Sequence, residues 1–169
     1  AYRIKSDGSL AQVIRIEERY VRIEGLQVES AHEVSNWSAG ISVADGNGDA
    51  SCEVHISHCI VRMTTSPTPT NAYGIGALNN FGDITADNSL YVSKVWNNIV
   101  YGFTASTSLG HLIYAEDWGT IYAYNNTCVG GSGAPKGIVI YGNVDFYAKN
   151  NISIDSADPY QPDGGPFNA

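Results

Sequence analysis

Glu116 and Asp117 stand side by side ahead of Trp118 in the run EDWG. Two carboxylates beside an aromatic ring are the residue types used for acid and base work at a glycosidic bond. They form the candidate catalytic pair, although a turn ending at Gly119 accounts for the same residues without chemistry. The other acidic groups (Asp45 and Asp49, Asp83 and Asp87, then Asp155, Asp158 and Asp163) fall in turn-like segments. DGNGD at 45–49 resembles a calcium loop in composition only, since it lacks the spaced oxygen ligands and closing Glu of an EF-hand. No cofactor is therefore expected, with calcium at this loop as the sole alternative. His55 and His58, three apart on a strand, should face opposite sides. His32 and His111 read as loop residues. No histidine pair combines metal-like spacing with a third ligand, so no metal site is expected.

A second set consists of Lys94, Trp96, Tyr122, Tyr124, Tyr147 and Lys149. Rings with a polar edge, flanked by ammonium groups, suit a flat sugar face or a protein partner. Their common placement emerges from three related stretches, VWNNIVYG (95–102), AYNNTCVG (123–130) and AKNNISID (148–155). Aligning the first Asn of each pair (Asn97, Asn125, Asn150) with Gly25 of VRIEGLQV and His58 of VHISHCIV gives spacings of 33, 39, 28 and 25 residues. Two before this anchor stand Ile23, Ile56, Val95, Ala123 and Ala148; four before stand Val21, Val54, Ser93, Ile121 and Phe146. Period two in apolar residues is the signature of a strand with one buried face. The opposite face then carries Arg22, His55, Lys94, Tyr122 and Tyr147 three before the anchor, and Glu24, Ser57, Trp96, Tyr124 and Lys149 one before it. Glu24 is the only acid in these two columns, which speaks against a carboxylate cluster. The segment from Phe103 to Trp118 is expected as a loop able to cover this face.

A second apolar series falls between the anchors: GISV from Gly40, GIGA from Gly74, LIYA from Leu112 and GIVI from Gly137. Each repeat thus carries two or three short strands, none able to bury its own face alone, and such units stack into one continuous core. The expected fold is all-β. From about Val13 to Ile154 the pattern resembles a right-handed parallel β-helix of the pectate-lyase-like superfamily, with about five rungs. A β-sandwich is the alternative, but it calls for Asn-Gly-like hairpin turns, and only DGNGD supplies one.

The column after the anchor reads Leu26, Cys59, Asn98, Asn126 and Asn151, so it is expected to point inward, and the resemblance implies that Asn98, Asn126 and Asn151 form an internal asparagine ladder. Asn at the anchor itself tolerates the left-handed backbone of a sharp bend. The resemblance also implies polysaccharide chemistry, either a lyase holding calcium beside a basic residue or a hydrolase with paired Asp. The hydrolase-like strings NTD, DD and GHG are absent, and RIK at Arg3–Lys5 lacks its partners.

With 169 residues and 43% hydrophobic content the chain supports one core. A β-helix domain is expected over 1–155, followed by a Pro/Gly-rich tail or linker at 156–169. Net charge is −8 with nine scattered Lys and Arg, so no basic stripe exists to neutralise nucleic-acid phosphates. Cys59 and Cys128 read as small buried hydrophobes, and Cys52 as a free thiol or a bridge to another copy. No apolar run approaches the ~20 residues of a membrane span. A chain opening on Ala1 reads as a processed product or a fragment. Together these features predict a noncatalytic β-solenoid module of an extracellular or virion-surface assembly, with glycan contact through the aromatic face. Its ends would be covered by self-association or adjoining domains. A polysaccharide lyase or glycoside hydrolase, whole or in part, is one alternative; a phage tail or capsid-decoration protein is another.

Overall fold

A computed structural model describes residues 2–6, 11–18, 20–31, 37–43, 52–64, 71–78, 91–103, 109–116, 118–131, 135–163 and 167–168. Among them there is no helix, and hence none long and apolar enough to cross a membrane. The strands form three parallel six-stranded sheets, which the chain visits in strict rotation. The first sheet holds β1 (Tyr2–Lys5), β4 (Leu26–Ser30), β7 (Ile60–Met63), β10 (Ile99–Tyr101), β13 (Thr127–Val129) and β16 (Ile152–Ile154). The second holds β2 (Gln12–Ile16), β5 (Trp37–Val43), β8 (Asn71–Leu78), β11 (Leu109–Ala115), β14 (Lys136–Tyr141) and β17 (Tyr160–Asp163). The third holds β3 (Val21–Glu24), β6 (Cys52–Ser57), β9 (Tyr91–Trp96), β12 (Trp118–Tyr124), β15 (Asn143–Lys149) and β18 (Phe167–Asn168). β17 and β18 lie within the stretch expected as a tail.

Register stacks like on like. In the second sheet Ile14, Ile41, Ile75, Ile113 and Ile138 form one column through five strands. In the third, Ile23, Ile56, Val95, Ala123 and Ala148 form another. In the first, Val28, Val61, Val100 and Cys128 do the same. These residues face a common interior and form the spine of the core, where each fully buried isoleucine contributes about 1.5–3 kcal/mol. Space inside is tight. Phe103 is fully buried against Gly40 and Gly74, where an added Cβ would come within 2.4 Å of Val61 and 2.1 Å of Val100 respectively.

That packing corrects two expectations. Within the segment expected as a covering loop, the described residues do not cover the face: Phe103 fills the interior and Leu109–Ala115 is a strand of the second sheet. His111 is not a loop residue either. It is buried on β11, stacked on Tyr73 at 5.6 Å and beside Tyr114 at 4.8 Å. LIYA reads as a strand in the sequence, but the uneven alternation around it does not carry the strand back through His111 to Leu109.

The bend from the third sheet to the first holds the anchor residues. Gly25, His58, Asn97, Asn125 and Asn150 have φ of 73°, 55°, 55°, 54° and 55°. The next residue turns inward. Asn98 donates through Nδ2 to Asn126 Oδ1 (3.0 Å) and to the Ile56 carbonyl (3.0 Å). Asn126 repeats the pattern to Asn151 Oδ1 (3.0 Å) and the Val95 carbonyl (2.9 Å). Asn126 Oδ1 also accepts from the Asn98 backbone N–H, so both donor hydrogens and both acceptor sites of this buried amide are used.

One edge of the first sheet is held by charge. Arg3 and Arg62 donate to Glu29 Oε2, and Lys5 lies 3.2 Å from Oε1, which joins β1, β4 and β7. The Glu29 side chain is only 4% exposed. Burial opposes its ionisation, but hydrogen bonds from Arg62, Lys5 and Arg3 outweigh that and hold its carboxyl down to about 2.

Two outcomes follow. Asn126→Ala should remove four hydrogen bonds and lower unfolding free energy by about 2–4 kcal/mol in urea titrations, more than Asn151→Ala at the half-buried end. Because Glu29 ionises more readily when folded, its contribution is complete above pH ~4.5 and is lost as pH falls toward ~2. Glu29→Gln should lower stability at neutral pH and flatten the acid limb of a stability–pH profile.

Candidate functional site

The strands of the third sheet are half-buried ribbons, and the outward half carries the groove. In β9 burial alternates residue by residue, with Tyr91, Ser93 and Val95 inside and Val92, Lys94 and Trp96 outside. Parallel register then sets Tyr122 beside Lys94 and Tyr147, and Tyr124 beside Trp96 and Lys149. Tyr122 and Tyr147 stack at 5.0 Å with planes 17° apart, and Tyr124 meets Tyr122 at 6.0 Å. Trp96 and His55 meet edge to face at 5.3 Å. A shallow groove of about 480 Å³ is lined by Lys94, Trp96, Tyr122 and Tyr124. Tyr147 extends it by stacking on Tyr122, and Lys149 is exposed at its margin, level with Tyr124.

Glu53 is a residue that the sequence columns passed over. It stands on β6 two residues before His55, and its Oε1 takes hydrogen bonds from both Lys94 Nζ and His55 Nε2. The Lys94 ammonium first, and then His55, holds the Glu53 carboxyl below the usual carboxylate range. The signal was available, because period two extends the outward columns one step further, to five residues before the anchor. That row reads Glu53, Val92, Thr120 and Asp145. Glu53 and Asp145 are three strand spacings apart, about 14 Å, farther than the 5–10 Å of paired glycosidase carboxylates.

Of the two catalytic candidates, Glu116 does not join this groove. Glu116 follows β11 on the second sheet, where it accepts a 2.8 Å hydrogen bond from the Tyr114 hydroxyl. Burial, reinforced by that hydrogen bond, pushes the Tyr114 hydroxyl far above the ordinary tyrosine range. Tyr114 also stacks on Tyr73 at 4.7 Å and meets Tyr141 at 5.9 Å. Asp117 lies outside the described residues, as do His32, the acidic runs at 45–49 and 83–87, and the side chain of Cys52. Among the described residues no group of three or more His, Cys, Asp or Glu converges as a metal site. Cys59 and Cys128 are buried and free, and burial pushes the Cys128 thiol up to about 12.

A scan against protein-family models found no match, and searches of curated proteins and of solved structures returned none either. The parallel coil and its groove are therefore what the functional reading rests on.

Glu53 and Lys94 are both more than one-third exposed, so their pair should matter little for stability. Glu53→Gln is expected to change unfolding free energy by no more than about 1 kcal/mol, a smaller loss than Glu29→Gln in the same urea titration.

Proposed function

We propose that this chain is a noncatalytic β-solenoid module of a larger extracellular or virion-surface assembly, and that its third-sheet groove contacts a glycan. The observation that carries the reading is the ring contact of Tyr147 with Tyr122 across adjacent strands and of Tyr122 with Tyr124 along one strand, with Trp96 on the next strand level with Tyr124. Rings fixed on a rigid sheet lose little conformational freedom on binding, and their flat faces match the apolar faces of pyranose rings. The row runs across the strands, so each strand advances it by about 4.8 Å, close to the length of one sugar unit in an extended chain. Lys94 already has a carboxylate partner, which leaves the groove nearly neutral and favours stacking over charge recognition.

The same reading takes the coil as a right-handed parallel β-helix of pectate-lyase-like form, with Asn98, Asn126 and Asn151 as its internal asparagine ladder. Support comes from the strict rotation among three parallel sheets, from the amide-to-amide hydrogen bonds, and from the strong preference of parallel crossovers for the right hand. A polysaccharide lyase or glycoside hydrolase is the second reading. What favours it is Glu53, where a carboxylate, an imidazole and an ammonium meet at the edge of the groove. The separation of Glu53 from Asp145 weighs against it.

A glycan-array screen with product analysis separates these readings. Binding without cleavage is expected, with Trp96→Ala and Tyr122→Ala each weakening it roughly tenfold and Glu53→Gln leaving it intact. Cleavage that disappears in Glu53→Gln would establish the enzyme, and absence of binding to any glycan would remove the platform reading.

A further inference from the structure

Three of the nine cationic side chains of this acidic protein converge on one carboxylate at the edge of the first sheet. Arg3, Lys5 and Arg62 all pair with Glu29, so the cluster carries two positive charges in excess. The carboxylate is covered, whereas the cations remain open to solvent, with side-chain exposures of 51% for Arg3, 54% for Lys5 and 37% for Arg62. Each guanidinium has five N–H donors. Arg62 directs Nε and Nη2 at Glu29 and also hydrogen-bonds the Tyr101 phenol, and Arg3 directs Nη2 at Glu29. Donors are therefore left over on both.

These spare donors border a cavity. A pocket of about 190 Å³ is lined by Arg3, Gln27, Glu29, Ile60, Arg62 and Tyr101, with Val28 behind them. Register explains the set: Gln27 pairs with Arg3 and with Ile60, while Arg62 pairs with Glu29 and with Tyr101. A neutral amide and a phenol thus complete a ring of donors begun by two guanidiniums. A cluster serving only to fasten β1 would need one cation per carboxylate and no adjoining polar cavity.

We propose that this pocket binds an oxyanion, sulfate or phosphate, between the Arg3 and Arg62 guanidiniums, with Gln27 and Tyr101 as neutral donors. Glu29 holds the two arginines in place from behind and moderates the affinity, since its own charge opposes the ligand. The oxyanion is either a free inorganic ion or a substituent on a polymer such as a sulfated glycan. The pocket lies on a different sheet from the aromatic groove and stands without the glycan reading.

The test is an NMR titration of the 169-residue chain with sodium sulfate and sodium phosphate against sodium chloride at matched ionic strength. Saturable shifts confined to Arg3, Gln27, Arg62 and Tyr101 are expected with the oxyanions and not with chloride. Arg62→Gln should weaken binding about tenfold. Glu29→Gln should strengthen it roughly twofold to fivefold while making the fold less stable, and sulfate should then restore melting temperature more in that variant than in the wild type. A purely structural cluster would not give that opposite movement of affinity and stability. A sulfated oligosaccharide binding more tightly than inorganic sulfate through the same residues would identify a polymer source, and tighter inorganic phosphate a free ion. Responses that follow ionic strength alone, or affinity unchanged in both Arg62→Gln and Glu29→Gln, would overturn the proposal.

Discussion

The bend from the third sheet to the first constrains everything stacked on it. Five residues with left-handed backbone occupy it on successive strands, and the side chain after each points into the core. Period two makes a strand intolerant of slippage, since a shift by one residue would exchange the whole inward and outward rows. Here the bend prevents that slip twice over. Only glycine and a few polar residues accept the left-handed conformation cheaply, which fixes the bend in the chain. Asn98, Asn126 and Asn151 then fix its height, because each amide must meet the one above and below or remain buried and unpaired. Earlier in the coil Leu26 and Cys59 hold the same column by packing instead, and the Cys59 backbone N–H joins the amides by donating to Asn98 Oδ1 at 2.9 Å.

This explains why some of the structure is legible in the sequence. Asn-Asn pairs mark a backbone conformation and a buried hydrogen bond at once, so counting back from them recovers the third-sheet columns from Val21 to Lys149. The isoleucines at 41, 75, 113 and 138 likewise align by eye once their neighbouring residues are matched, and they stack in the structure. What stayed hidden depends on contacts between distant residues. Arg3 and Glu29 are 26 positions apart, and Glu29 and Arg62 are 33. Nothing local marks Glu29 as a buried carboxylate rather than a solvated one. Glu53 escapes the outward columns for a simpler reason: it stands one period beyond the two rows that flank the anchor. His111 reads as a loop residue because a buried strand with both faces covered loses the alternation that reveals strands.

Each outer face carries different chemistry because outward rows are free of the constraint that fixes inward ones. The first sheet runs from the Arg3–Glu29–Arg62 cluster to exposed Ile99, Ile152 and Ile154. The second is an aromatic stack of Tyr73, His111 and Tyr114, with Tyr141 beside it. The third carries the groove. Glu29 and Glu53 show how the same charge differs with depth. Both accept from cations on neighbouring strands, yet Glu29 is nearly sealed while Glu53 is more than one-third exposed. Water reaches both partners of the second pair but only the cations of the first, so the Glu29 cluster contributes more to folding than the Glu53 pair does.

That division bears on how a solenoid can hold a function at all. A groove on a compact domain shares its side chains with the core, and altering it disturbs packing. Here Tyr122 and Trp96 alternate with Ile121, Ala123 and Val95, which hold the interior, so ring and core positions are neighbours in sequence but opposite in direction. Any outward row can change while the inward columns and the amides keep register. The strand spacing, set by backbone hydrogen bonds alone, then becomes the spacing of whatever the outer row presents. A repeated aromatic on such a row is a regular array, and a regular array suits a ligand that is itself a repeating chain.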